Sequence, residues 1–225
     1  MCTVTYLPKS GGDYILTSNR DESTARPAAL APATYLVHGK NITFPKDPLA
    51  GGSWIAYAEG RAACLLNGAF HKHIPTPPYK KSRGLVVLDY FAFENVRLFS
   101  SQYDFTGIEP FTLLLLENAS LSELRWDGEL LHVRNCNPNV PQIWSSVTLY
   151  PDEIISKRKK WFAEWLTKNY SYQQNAIVLF HHTAGEGNET NDILMKRHGL
   201  QTVSITSIEK TGKQLAMVYE DLSKP

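Results

Sequence analysis

A cysteine stands directly behind the initiator methionine, and a short hairpin's length later comes the run Asn19-Arg20-Asp21-Glu22. Four hydrogen-bonding side chains in a row are out of character for a strand, and a thiol is a nucleophile wherever its proton can be removed. If Met1 is removed, which a small second residue permits, Cys2 carries a thiol and a free α-amine on one residue. The amine's ordinary pKa of about 7.7–8.0 lies just below the thiol's of about 8.5, so the amine takes the thiol proton at neutral pH with little penalty. A nearby Arg20 favours thiolate, and Asp21 can orient the amine. Composition alone leaves a second reading open, in which the polar run is a salt-bridged strand end and Cys2 a small buried hydrophobe.

Bringing these residues together requires a hairpin. Strand-like stretches at 2–7 and 13–18 flank the turn signal PKSGG. Symmetric closure about Ser10 and Gly11 opposes residues whose numbers sum to 21, which sets Cys2 across from Asn19 at roughly 5 Å. Alternation then puts Asp21 on the same face and Arg20 on the other or just past the strand end, whereas a one-residue slip would set Cys2 between Ser18 and Arg20. Three more pairs read as hairpins: 54–58 with 62–66 around EG, 121–126 with 129–133 around DG, and 202–208 with 215–219 around EKTGK.

Two stretches have helical period instead. After Pro151, with Asp152 and Glu153 placed to favour a helix start, Ile154, Ile155, Trp161, Phe162, Trp165 and Leu166 repeat on one face. The stretch 82–99 predicts a second helix, apolar almost all round over 85–93 and so buried between layers. Hairpins with inserted helices and no βαβ alternation predict an α+β sandwich of antiparallel sheets, expected as a single domain over 1–225.

Composition narrows the partners. Lys and Arg number 23 against 22 Asp and Glu, a formal charge of +1, so no basic field exists to draw nucleic acid. Cys2, Cys64 and Cys136 are odd in number and far apart, which fits neither a disulfide framework nor a metal site and predicts a reducing, cytoplasmic setting. The start shows no export signal, and the longest purely apolar runs, such as 62–66 and 176–180, are five residues and far below spanning length, so membrane insertion is not expected.

Several motifs occur in order: MCTV, SNRDE followed by Arg26-Pro27, GGSW at 51–54, LLNG at 65–68 and SRGLVVLD from Ser82. Together they closely resemble the NRDE family, also called the transport and Golgi organisation 2 family, densely over about the first hundred residues and again, weakly, in TVSIT from Thr202. That family is similar to N-terminal nucleophile hydrolases, whose fold is a four-layer αββα sandwich with two antiparallel sheets inside. The resemblance implies Cys2 as nucleophile, with Asn19, Arg20 and Asp21 around it. It also implies an oxyanion hole using the side-chain amide of Asn67, beside Gly68. Relatives typically have a serine-asparagine pair where this chain has Ser145-Ser146, so a hydroxyl of Ser146 would serve as second donor. Glu22, Arg26, Trp54, Gly68 and Ser146 are the expected substrate contacts.

The implied reaction is attack on a linear amide or thioester, an acyl-enzyme, and release of an acid, with neither metal nor cofactor required. The alternative from the same resemblance is a non-catalytic carrier or chaperone for haem, lipid or acyl-CoA. By chemistry its haem ligands would be among His71, His73, His181 and His182. Tyr6, Trp54 and Phe70 fit either an acyl pocket or the core. The run 181–192, HHTAGEGNETND, is expected as a long loop able to line a cleft.

Overall fold

The computed structural model describes residues 3–223. In chain order its strands are β1 (Thr3–Pro8), β2 (Tyr14–Ser23), β3 (Leu30–Val37), β4 (Lys40–Lys46), β5 (Ile55–Ala58), β6 (Arg61–Asn67), β7 (Phe111–Glu117), β8 (Ser120–Trp126), β9 (Leu131–Cys136), β10 (Gln142–Ser145), β11 (Lys196–Arg197), β12 (Leu200–Thr211) and β13 (Gln214–Asp221). The α-helices are α1 (Arg83–Asp89), α2 (Val96–Gln102), α3 (Asp152–Leu166) and α4 (Gln174–Thr183). The chain forms two compact units, one from its two ends, up to Ala28 and from Asn139 onward, the other from Ala29–Pro138. Each is an antiparallel sheet with helices packed on it, so the expected α+β class with two antiparallel sheets holds.

In the first unit the strand order is β10-β1-β2-β12-β11, with β13 also paired to β12. The opening hairpin is real, but its register differs from the expectation by one residue. Thr3 pairs with Asn19 and Val4 with Ser18, so paired numbers sum to 22, and the expected pairing of Asn19 with Cys2 is overturned. The cause lies in the turn. Gly11 and Gly12 both adopt positive φ (74° and 77°), which lets the loop take three residues, Ser10 to Gly12, closed by the Lys9 N–H on the Asp13 carbonyl at 2.8 Å. Cys2 itself lies outside the described residues.

Register decides faces, because paired residues of an antiparallel ladder point the same way. Thr3, Thr5, Leu7, Ile15, Thr17 and Asn19 therefore share one face of the sheet. On that face Leu7 and Ile15 pack with Phe162 of α3, Ile177 and Phe180 of α4, and Ile193. Where β12 meets β2 the register shifts between Thr202 and Ser204, opposite Asp21 and Arg20, leaving Val203 as the extra residue of a bulge. The Val203 carbonyl is taken by the Leu222 N–H at 2.9 Å. Bulges raise local twist and re-aim side chains, and this one falls at the polar strand end.

In the second unit the strands follow in sequence, β3-β4-β5-β6-β7-β8-β9, all antiparallel. The helix expected over 82–99 is broken: α1 passes through a short 3-10 turn, Phe93 is extended, and α2 restarts after Asn95. Asn95 caps that restart by accepting the Leu98 N–H at 2.9 Å, which an internal asparagine does better than it propagates a helix. GGSW and SRGL meet here. A Cβ on Gly52 would lie 2.4 Å from the Gly84 carbonyl carbon, and the Ser53 N–H donates to the Gly84 carbonyl at 3.0 Å. These glycines let a loop and a helix start touch backbone to backbone.

Candidate active site

Asp21 is 3% exposed near the end of β2. It accepts the Tyr150 hydroxyl on Oδ2 at 2.9 Å and the Thr202 hydroxyl on Oδ1 at 2.5 Å. Tyr150 ends a turn in which the N–H groups of Leu149 and Tyr150 both donate to the Ser146 carbonyl. The guanidinium of Arg158 lies over the Tyr150 ring, 3.6 Å from its centroid, and that of Arg197 lies 5.0 Å away. Arg158 is fully buried. It donates to the Thr3 hydroxyl, to the Asn191 carbonyl at 3.0 and 3.2 Å, and to the Asp192 carbonyl at 2.5 Å.

Arg20 occupies the opposite parity, opposite Ser204, and is 4% exposed. It reaches Glu22 Oε2 at 3.4 Å, and Arg26 approaches the same oxygen at 3.7 Å. The strand end therefore splits its polar side chains, Asn19 and Asp21 toward the helices, Arg20 and Glu22 away. That division is what alternation alone dictates.

Asn19 anchors α4. Its amide N–H groups donate to the carbonyls of Ile193 at 2.9 Å and His181 at 3.3 Å, so its Oδ1 is the acceptor toward His181 Nδ1 at 2.6 Å. The proton then sits on Nδ1, and Nε2 accepts the Thr5 hydroxyl at 2.8 Å. Burial, with the positive charge of Arg158 and the neighbouring His182, pulls the His181 pKa down to about 3. A neutral, sealed imidazole with both nitrogens engaged is no haem ligand, which corrects that expectation for His181. The expected loop over 181–192 is corrected too, because His181, His182 and Thr183 form the last turn of α4. His182 pairs with Glu220 at 2.5 Å.

The first unit thus gathers Asn19, Arg20, Asp21, Glu22 and Arg26. Thr3 pairs with Asn19 on one side and with Ser145 on the other, which puts Ser146 just past the β10 ladder, buried, with its hydroxyl 2.9 Å from that of Thr148. Trp54, Asn67 and Gly68 belong to the second unit. Trp54 is buried just before β5. Asn67 ends β6 opposite Phe111, and Gly68 follows at φ 82°, its N–H on the Pro110 carbonyl and its own carbonyl accepting the Thr112 hydroxyl. Of the aromatic residues, Tyr6 is buried and Phe70 exposed. His73 binds Glu109 at 3.0 Å, and His71 is exposed.

Tyr150, Arg158 and Thr202 receive no role at the site from the sequence reading. One signal was present for Arg158: it lies four residues after Ile154 and four before Phe162, in the middle of the apolar stripe of α3. A charge in such a stripe is buried or the stripe is broken, and here it is buried. Tyr150 and Thr202 carry no local signal, being 129 and 181 residues from Asp21.

The fold is that of N-terminal nucleophile hydrolases. The chain superposes on the C2A mutant of conjugated bile acid hydrolase from Clostridium perfringens with TM-score 0.54 and 13% identity, covering 100% of this chain and 93% of that one. Penicillin V acylase from Agrobacterium tumefaciens gives TM-score 0.51 and 11% identity over 99% and 87%. The family model described as Transport and Golgi organisation 2 matches residues 1–215, and the chain belongs to that family. No curated protein matches it. Among the described residues no helix is long and apolar enough to cross a membrane.

Proposed function

We propose that the chain is a cysteine hydrolase of the N-terminal nucleophile class, cleaving a linear amide or thioester through an acyl-enzyme on Cys2 once Met1 has been removed. The observation that carries this is the buried Asp21 carboxylate, served by two hydroxyl donors beside the start of β1. Burying such a group costs stability, and sites that carry the cost are enriched in function.

In this reading the α-amine takes the thiol proton and the sulfur adds to the substrate carbonyl carbon. The tetrahedral oxyanion accepts a hydrogen bond from the Ser146 hydroxyl. The ammonium, oriented by Asp21, returns its proton to the leaving nitrogen or sulfur. Water then attacks the acyl thioester, the acid leaves and the thiol is restored. Glu22 and Arg26 are assigned to substrate contact. For Ser146 the support is its place beside the β1 ladder.

The two structural neighbours are by name a hydrolase of conjugated bile acids and an acylase of penicillin V, and the first was solved with its own position 2 exchanged from cysteine to alanine. Both names support a small acylated molecule as substrate. Cys64 and Cys136 are in no disulfide, which supports a reducing, cytoplasmic setting. The test is turnover of a panel of small amides and thioesters by the wild type and by Cys2→Ala. The expected result is that Cys2→Ala loses turnover while melting at the wild-type temperature. Turnover that survives the substitution removes Cys2 as nucleophile.

A further inference from the structure

We propose that Tyr150 is a positioning residue for the Asp21 carboxylate, held for that task between the guanidinium groups of Arg158 and Arg197; this rests on the hydrolase reading above. The phenol is gripped on its ring, by Arg158 at 3.6 Å and Arg197 at 5.0 Å from the centroid. It is gripped through its backbone as well, by its N–H on the Ser146 carbonyl at 3.2 Å. With the ring fixed, the hydroxyl retains one torsion, and it spends it donating to Asp21 Oδ2. Thr202 holds the other oxygen. A hydroxyl donor on each oxygen fixes the carboxylate plane.

Arg158 makes the case for function rather than packing. It is fully buried, and its bonds run to the Thr3 hydroxyl, the carbonyls of Asn191 and Asp192 and the Tyr150 ring, with no carboxylate among them. An apolar side chain at this point of the α3 stripe would cost far less desolvation. What the guanidinium adds is a tie from α3 to the first residue of β1 and to the ring that aims Asp21. Arg197 adds a second tie, donating to the carbonyls of Thr190 at 2.8 Å and Leu149 at 3.1 Å.

Among the described residues, charged and titratable groups about the Tyr150–Asp21 pair include Arg158 of α3 and Arg197 of β11 on the ring, Arg20 and Glu22 beside Asp21 on β2, and His181 of α4, which is neutral. Removing the phenol donor leaves the carboxylate charge less spread, so it raises the proton affinity of an amine and a thiol beside it; removing the charge itself does the reverse.

The experiment is the pH profile of Cys2 alkylation, read by peptide mass spectrometry on the full-length mature protein, from about pH 5 to about pH 10. It compares the wild type with Tyr150→Phe and Asp21→Asn. Tyr150→Phe keeps the ring between its two cations, and an unchanged melting temperature confirms the fold. The expected result is a midpoint moved up in Tyr150→Phe, with alkylation about two- to threefold slower at pH 7, and a midpoint moved down in Asp21→Asn. A shift in Asp21→Asn with none in Tyr150→Phe overturns the positioning role and leaves the hydrolase reading standing. Wild-type profiles in both variants overturn the two together.

Discussion

The helix-facing side of the first sheet buries Arg158, His181, Asn19, Thr3 and Thr5 beside its apolar side chains, whereas the equivalent interior of the second unit is an apolar cluster. There Tyr90, Phe91, Phe99, Phe105, Phe111 and Trp126 pack with leucines and valines from β6, β7 and α1. Ring pairs such as Tyr90 with Phe99 and Phe99 with Phe105 meet edge to face at 5.5 Å, a favoured aromatic geometry. Polar groups buried beside one sheet must each find a partner, so a local change there propagates through hydrogen bonds. The aromatic cluster answers mainly to volume, its polar contacts being the Tyr90 hydroxyl on Glu117, the Trp126 N–H on the Ile108 carbonyl and Arg61 over the Tyr90 and Phe91 rings. Both units bury charge, Arg61 and Glu123 in the second, but in the first the buried polar groups lie beside the polar strand end.

The comparison can be broken in order of effect. Phe99→Ala in the second unit should cost about 3–5 kcal/mol in denaturant unfolding, the cavity cost of a fully buried ring. A cost below about 1 kcal/mol would deny that volume governs there. Asn19→Ala in the first should cost about 1–3 kcal/mol, because it strands the Ile193 and His181 carbonyls and the His181 N–H rather than opening a large void. Were a hydrophobe of similar size, Asn19→Leu, to restore full stability, the polar account of this interface would be wrong. Gly52→Ala should cost about 1–3 kcal/mol through overlap with the Gly84 backbone, read as a lower melting temperature. An unchanged Tm would mean that the two segments separate freely.

The smallest effect at neutral pH, and the one that sharpens the contrast most, is acid sensitivity. The unfolded His181 takes up its proton near pH 6.5, while the buried one resists until about pH 3. Across that window the unfolded state binds more protons, so stability falls as pH falls, by up to about 1.4 kcal/mol per pH unit. His181→Gln should flatten this limb in urea titrations between those pH values. A limb as steep as in the wild type would place the acid-sensitive group elsewhere.

Much of the architecture was legible because glycine punctuates it. The turns after Ala58, Trp126 and Thr211 each place a glycine at positive φ, Gly60, Gly128 and Gly212, and the flanking alternation supplies the strands. The β3-β4 hairpin escaped because its turn, His38-Gly39, uses a histidine at φ 52° where a sequence rule looks for asparagine. The register of the first hairpin escaped because PKSGG admits both a two- and a three-residue loop, and only the conformation of Gly12 chooses between them. At the candidate site, the run 19–22 and its split across two faces could be read from alternation. Its helix-side partners could not, since His181, Tyr150 and Thr202 arrive from distant segments through pairing that no local spacing records.

The central claim is that position 2 carries an activated nucleophile. The direct measurement is intact mass after expression, followed by mass after brief exposure to a thiol-reactive acyl probe at neutral pH. The account predicts a chain short by one methionine and a single acyl adduct on Cys2, with Cys64 and Cys136 unmodified. A chain that keeps Met1 and an unlabelled Cys2 would contradict it.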